Sequence, residues 1–314
     1  MHNNRLFCFG YGYTCDYLGH ALMEEGGWQV AGTTRDSNKR ASLKKRGIDA
    51  HLFDYEIPLA DPGHILKDVT HLLISTPPDD HGGPTYRMHE EDIVRMPNLK
   101  WMGYLSTIGV YGDRDGGWVD ETAQVQPSTR RGTRRASAEK QWMDLARENN
   151  LPLHTFRIAG IYGPGRSALD SIRAGVARRI DKPGHAFNRI HVEDIVNVLR
   201  ASIAKPNPGS IYNVADDDPV PSHVVIDYAC QLLKRPSPPL IPFDKVDLAP
   251  ITRSFYSDNK RIKNDKIKNE LGVTLKYPSY KEGLKACLEA ENYAMSLFRK
   301  VDPYGGGDGG ESFG

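Results

Sequence analysis

The sequence predicts an α/β fold built on a doubly wound parallel sheet, with a smaller C-terminal region beside it, and three observations predict it. Short apolar runs recur at 6–9, 29–33, 49–53, 71–75, 101–106 and 153–158, the length of buried strands. Amphipathic stretches at 17–25, 39–46 and 136–148 lie between them, and strands alternating with helices read as parallel βαβ units. A tight Gly-x-Gly turn, Gly10-Tyr11-Gly12, stands at the first strand-to-helix junction. Right-handed crossovers then place any ligand at the carboxyl ends of the strands.

Past residue 158 the regularity weakens. Residues 160–165 are turn-rich, a helical stretch follows, and Asp181-Lys182-Pro183-Gly184 reads as a loop. Residues 191–204 read as one amphipathic helix with Asp194 in its first turn, 210–214 as a strand and 222–233 as a helix. The Pro-rich piece 235–242 reads as a connector, and 258–271 and 281–298 as helices. The Gly-rich end, 301–314, is expected to be a disordered tail.

Bulk properties exclude several classes. A chain of 314 residues exceeds one ordinary core. With 41 Lys and Arg against 40 Asp and Glu, the net charge of +1 argues against a dedicated nucleic-acid binder. No run approaches the ~18 apolar residues of a membrane span. The four cysteines, Cys8, Cys15, Cys230 and Cys287, lack CxxC spacing, and the histidines lack metal-ligand spacing, so neither disulfides nor a metal site are expected. The expectation is a reduced cytoplasmic protein.

Gly10 and Gly12 let the chain turn and let a diphosphate approach the bare amides of a helix N-terminus. With a strand before it and a helix after it, the turn reads as a dinucleotide loop, although Cys15 replaces the third glycine of the usual fingerprint. The second strand ends in Thr33-Thr34-Arg35, with Lys39 and Arg40 following, where an NAD site usually places an acidic residue. Hydroxyls and a cation suit a 2′-phosphate, which favours NADP(H) over NAD(H).

Further landmarks come in a fixed order: Ser106-Thr107-Ile108-Gly109-Val110-Tyr111-Gly112, Arg157–Gly165, His191-Val192-Glu193-Asp194, Ile211-Tyr212-Asn213-Val214, and a Lys-Ile-x-x-Glu-Leu-Gly pattern at 266–272. In them the chain resembles the extended short-chain dehydrogenase/reductases, the NAD-dependent epimerase/dehydratase family, from about residue 6 to about 290. The resemblance implies a Rossmann-type dinucleotide-binding domain over 1–160, with 190–215 returning to its sheet. Residues 161–189 and 216–300 would form the smaller substrate-binding region. It also implies that Gly10, Gly12, Tyr13, Thr14 and Cys15 wrap the pyrophosphate, that Thr34 and Arg35 meet the adenosine ribose, and that Asp54 looks toward the adenine. Ser75, Thr76 and Pro77 would line the nicotinamide side, and the Ile158-Ala159-Gly160 backbone would face the ring. Thr107 would bond the substrate oxygen, while His191 and Asp194 would hold the last sheet strand rather than do chemistry. Homodimerisation through helices near 87–96 and 136–148 is implied as well.

One departure governs the chemistry. The family's Tyr-x-x-x-Lys pair precedes a glutamate by four residues; counting back from Glu139 puts Arg131 at the tyrosine position and Arg135 at the lysine position. Arginine stays protonated and is a poor proton shuttle, though it can polarise a carbonyl, clamp an anion or hold a ribose hydroxyl. Tyr111, or His81, His89 or Asp79 in the loop after Pro78, are the alternative proton carriers. The run Arg130–Arg135 reads as a site for a substrate or cofactor anion. The sequence therefore predicts an atypical NADP(H)-dependent oxidoreductase or epimerase with a small anionic or nucleotide-linked substrate, or alternatively a catalytically silent NAD(P)-binding protein acting as redox sensor or assembly partner.

Overall fold

The computed structural model describes residues 4–301. Seven strands make one sheet: β1 Asn4–Phe9, β2 Trp28–Thr34, β3 Asp49–Leu52, β4 His71–Ile74, β5 Trp101–Thr107, β6 Leu153–Ile158 and β7 Ile211–Val214. Their order is β7-β6-β5-β4-β1-β2-β3, and every pairing is parallel. The strands are nearly continuous apolar runs because helices cover both faces; Leu6, Phe7, Cys8 and Phe9 are all fully buried. Helices α1 (Tyr13–Glu25) and α5 (Val192–Ala204) pack on one face through Leu18, Leu22, Ile195 and Leu199. On the other face, α3 (Pro84–Val94) and α4 (Arg130–Asn149) pack through Ile93, Ala138 and Trp142 against Phe7 and Phe9. Helix α2 (Ser37–Lys45) joins β2 to β3.

The winding reverses between β1 and β4, so the connections leaving those two strands diverge and open a crevice at their carboxyl ends. The C-terminal third adds α6 (Ser222–Leu232) and α7 (Tyr280–Val301). With the short helix Ala168–Arg173 they enclose a further apolar cluster containing Tyr162, Leu169, Ala229 and Leu284.

Several expected elements change. Helix α1 begins at Tyr13 and α4 at Arg130, both earlier than expected, so the arginines are helical; Thr129 caps α4 by accepting from Gly132 N at 3.0 Å. The helix expected over 258–271 shrinks to Asp265–Asn269, because Arg261–Ile262 pairs as a strand with Trp118–Val119. His89 lies not in the loop after Pro78 but in α3, which covers the helix expected near 87–96 and begins earlier, with Pro84 first on a glycine N-cap. His191 and Asp194 do not hold the last strand. Asp194 accepts the amides of Lys276 and Tyr277 at 2.7 and 2.9 Å, and His191 lies against Tyr277 and Cys287. The Gly-rich tail beyond residue 301 lies outside the described residues.

Candidate functional site

The glycine turn is held by its neighbours. Gly10 has φ +84°, and a Cβ there would stand 3.1 Å from the Thr76 amide nitrogen, so the position needs glycine. Thr33 Oγ1 accepts from Gly10 N at 2.8 Å, and Tyr11 N donates to Thr33 O at 2.7 Å. A Cβ on Gly12 would meet only Gly10 O at 3.9 Å, which leaves the approach to the start of α1 open. Gly12 is the N-cap of α1 and supplies no side-chain cap, so the first amides face the crevice bare.

Tyr11 turns inward and is buried, and Gly19 and Gly32 make room for it. A Cβ on either would lie within 2.8 Å of its ring or hydroxyl. The close helix-to-strand approach that a third fingerprint glycine allows therefore falls to Gly19, one turn past Cys15; sequence reasoning missed it because the spacing is not the usual one. Thr14 and Cys15 are buried, and Tyr13 donates its hydroxyl to Pro164 O at 2.9 Å. The side chains of these three do not line the cavity beside the turn.

A cavity of about 340 Å³ continues from the turn toward β2 and β3, lined by Thr34, Arg35, Lys39, Asp54, Thr76 and Pro77 among others. Arg40 does not line it. Arg35 is exposed and lies over the Tyr55 ring, 5.7 Å from its centroid. The one awkward charge is Asp36, but its carboxylate caps α2, accepting from Asn38 N and Lys39 N, and those bonds pull its pKa down. Asp54 is likewise held by the amides of Glu56 and Ile57, which lower its pKa. Both carboxylates are thus hydrogen-bonded to backbone, and neither Arg35 nor Lys39 forms an ion pair among the described residues.

At the end of β5, Thr107 is half-buried and pairs in register with Ile158 of β6. Its Oγ1 accepts from Gly109 N at 3.1 Å, which leaves the hydroxyl proton to donate. The amides of Ala159 and Gly160 donate to Val214 O and Asn188 O, so this backbone presents no free N–H to a ring beside it.

The arginine run does not form the anion site expected of it. Arg130 and Arg134 both close on Asp80, whose carboxyl they hold low. Arg131 is exposed and stacks over Phe255, 5.2 Å from the ring centroid, and Arg135 Nη1 donates to Leu105 O at 3.0 Å. Four guanidinium groups have three separate destinations.

Tyr111 also leaves the site. It is fully buried, donates to Asn213 Oδ1 at 2.7 Å and accepts from Arg157 Nη1 at 3.0 Å; burial pushes its pKa up. It belongs to an internal network in which Arg157 and Glu139, each 3% exposed, pair at 2.5 Å and Ser106 donates to Glu139 at 2.5 Å. The same glutamate that set the register of the motif anchors α4 to the sheet. His89 is no proton carrier either: its Nε2 accepts from Leu59 N at 2.9 Å and Nδ1 faces Asp92 at 2.9 Å.

A second, larger cavity of about 890 Å³ lies in the C-terminal region, lined by Tyr162, Arg166, Arg178, Arg189, Tyr256 and Leu284 among others. Arg166 lies over the ring of Tyr13, which joins this wall to the start of α1.

No protein-family profile and no curated protein matches the chain. Among solved structures, a functionally unknown conserved protein from Silicibacter pomeroyi is 49% identical, with a TM-score of 0.84, over 91% of this chain and 99% of that one. This chain belongs to that protein's family. UDP-glucose 4-epimerase from Thermotoga maritima, solved with UDP-glucose, superposes at a TM-score of 0.76 with 18% identity over 93% of this chain and 99% of that one. For dTDP-glucose 4,6-dehydratase from Bacillus anthracis, in complex with NAD, the values are 0.73, 16%, 95% and 99%. The family of the Silicibacter protein thus shares the Rossmann-type fold of these sugar-nucleotide enzymes. No described helix is long and apolar enough to cross a membrane.

Proposed function

We propose that the protein binds a nicotinamide dinucleotide, NADP(H) in preference to NAD(H), and works as an atypical oxidoreductase or epimerase on a small anionic substrate. The observation that carries this reading is the continuous cleft from the Gly10–Gly12 turn to Arg35 and Lys39. It offers bare amides at one end and, at the other, two cations that form no ion pair among the described residues, the carboxylates nearby being hydrogen-bonded to backbone amides. The epimerase and dehydratase with the same fold, the latter solved with NAD, support the cofactor class.

Bound there, the dinucleotide would supply hydride transfer at its nicotinamide. Gly10 and Gly12 give the diphosphate its path to the α1 amides, and Arg35 and Lys39 take the 2′-phosphate. Thr107 donates its free proton to the substrate oxygen. Arg131 and Arg135 add positive potential near the ends of β5 and α4 but carry no proton away. The cavity beside Tyr162 is the place for the remainder of the substrate.

Titration calorimetry with NADPH and NADH tests this. NADPH should bind more tightly, and Arg35→Ala should cost it about ten- to a hundredfold while sparing NADH, as expected for one charge-assisted contact. Tighter NADH than NADPH binding would overturn the preference, and saturation by neither would overturn the dinucleotide. Arg131 pinned on Phe255 favours a second reading, a binder without turnover; gain of NADPH oxidation in an Arg131→Tyr, Arg135→Lys variant would support it.

A further inference from the structure

The larger cavity carries its charge in an unusual way. Of its lining residues the charged ones are Arg166, Arg178, Arg189 and Asp247. Arg178 is occupied by Asp247's own carbonyl at 3.0 Å, and Arg166 lies over Tyr13. Arg189 begins a short strand paired with Gly160, which places it next to the end of β6. Its Nη1 donates to two backbone carbonyls, Phe187 O and Val220 O, each at 3.0 Å, and among the described residues it forms no ion pair.

A carboxylate nonetheless sits behind it. Asp216, two residues past β7 and 3% exposed, donates its amide to Arg189 O at 2.7 Å. Asp216 Oδ1 accepts from Asp218 N at 3.3 Å, and Oδ2 has no hydrogen-bond partner among the described residues. A buried carboxylate oxygen left unbonded and a guanidinium with no carboxylate partner are each costly inside the protein, and an anion on the arginine relieves its share of that cost.

We propose that this cavity receives the anionic group of a small ligand on Arg189, and that Asp216 behind the arginine sets how firmly the anion is held. The proposal deepens the reading of the protein as a binder of a small anionic substrate and rests on it. The ligand class is a carboxylate, phosphate or sulfonate on an apolar body, the body lying on Val225, Ile226, Leu248 and Leu284.

The charges support this coupling. Burial pushes the Asp216 carboxyl up to about 8, with Arg189 pulling it down and Asp217 and Asp218 pushing it further up. Tyr162, Tyr256 and Tyr280 are the other titratable groups facing this pair, and their pKa values are raised by burial. Below pH 8 Asp216 is therefore mostly neutral and Arg189 presents a full charge to the cavity. Above it the carboxylate answers the guanidinium from behind and the anion loses its hold. By reciprocity a bound anion keeps Asp216 protonated to higher pH.

Benzenesulfonate, charged at every pH used, is the probe, with benzyl alcohol as the neutral control. Titrated into the full-length protein and followed by NMR, it should bind about tenfold more tightly at pH 6.5 than at pH 9. Asp216→Asn should flatten that dependence at the tighter level, and Arg189→Met should abolish saturable binding. Wild-type affinity that ignores pH, the same slope in Asp216→Asn, or unchanged binding in Arg189→Met would each overturn the proposal. If Arg189→Met does not fold, Asp216→Asn decides alone. NADPH titrated into the same samples separates the two readings: intact NADPH binding with pH-flat sulfonate binding removes only this one. Absent NADPH binding with the sulfonate behaviour as expected removes only the dinucleotide.

Discussion

The Gly10–Gly12 turn and the Arg130–Arg135 stretch each open a helix beside the crevice, yet they relate to their sequence in opposite ways. In the turn, the constraint is steric and local. A positive φ, a neighbouring backbone 3.1 Å away and a threonine hydroxyl on the amide leave one conformation, whatever lies further off. In the arginine stretch four identical side chains diverge to Asp80, Phe255 and Leu105 O, partners from three other parts of the chain. Backbone requirements are written beside the residue that meets them. A long flexible side chain takes its meaning from whatever the fold brings within reach.

Variants can break or sharpen that contrast. The largest effect is expected where the helix opened by the arginine stretch is pinned to the sheet by a buried ion pair. Arg157→Met leaves Glu139 charged and unpaired inside the protein and should cost about 3–5 kcal/mol in urea unfolding. A loss under ~1 kcal/mol would mean that this pair does not anchor α4.

Acid should act on the fold that carries both regions. Burial holds His71, His185 and His191 down at about 4, below the 6.5 they regain on unfolding, so between those values the unfolded chain binds more protons and stability falls as pH falls. Burial lowers His154 as well, while Asp216, raised to about 8, and Asp194 and Glu121, also raised by burial, work in the other direction and reduce the loss. Calorimetry at pH 6.5 and 4.5 should show a loss of a few kcal/mol; unchanged stability would mean the three rings are not held neutral.

On β2, against the turn, Gly32→Ala sets a Cβ 2.8 Å from Cys8 O and the Tyr11 ring and should cost about 1–3 kcal/mol. Gly12→Ala meets nothing closer than 3.9 Å and should leave the melting temperature unchanged while weakening NADPH. Equal loss of stability in both would show that Gly12 serves the fold rather than a ligand. The smallest effect belongs to Asp80→Asn, which frees one exposed and one half-buried arginine; neither melting temperature nor NADPH affinity should change measurably by calorimetry.

Much of the fold was legible. Apolar runs such as Leu6–Phe9 can only be strands covered on both faces, and the helical patterns between them force a parallel order. The helix near 87–96 was legible but its start at Pro84 was not, and neither was the strand Arg261–Ile262, whose partner is a distant two-residue strand. In the site, Thr33 was read as a hydroxyl for a 2′-phosphate and Gly19 was overlooked for a related reason: each works through a contact with the glycine turn that no motif spacing records. Tyr111 and the arginine run were read from their motif, and the fold had other uses for them.

By itself, then, the sequence determined the doubly wound sheet and the conformation of its first turn, because periodic burial and forbidden backbone angles act over a few residues. Only the tertiary structure decided which charges are consumed and which are left over. Arg130 and Arg134 are consumed by Asp80, while Arg35 and Arg189 form no ion pair among the described residues. Charge pairing depends on distances of a few ångströms between segments tens to hundreds of residues apart, and no local pattern encodes those distances.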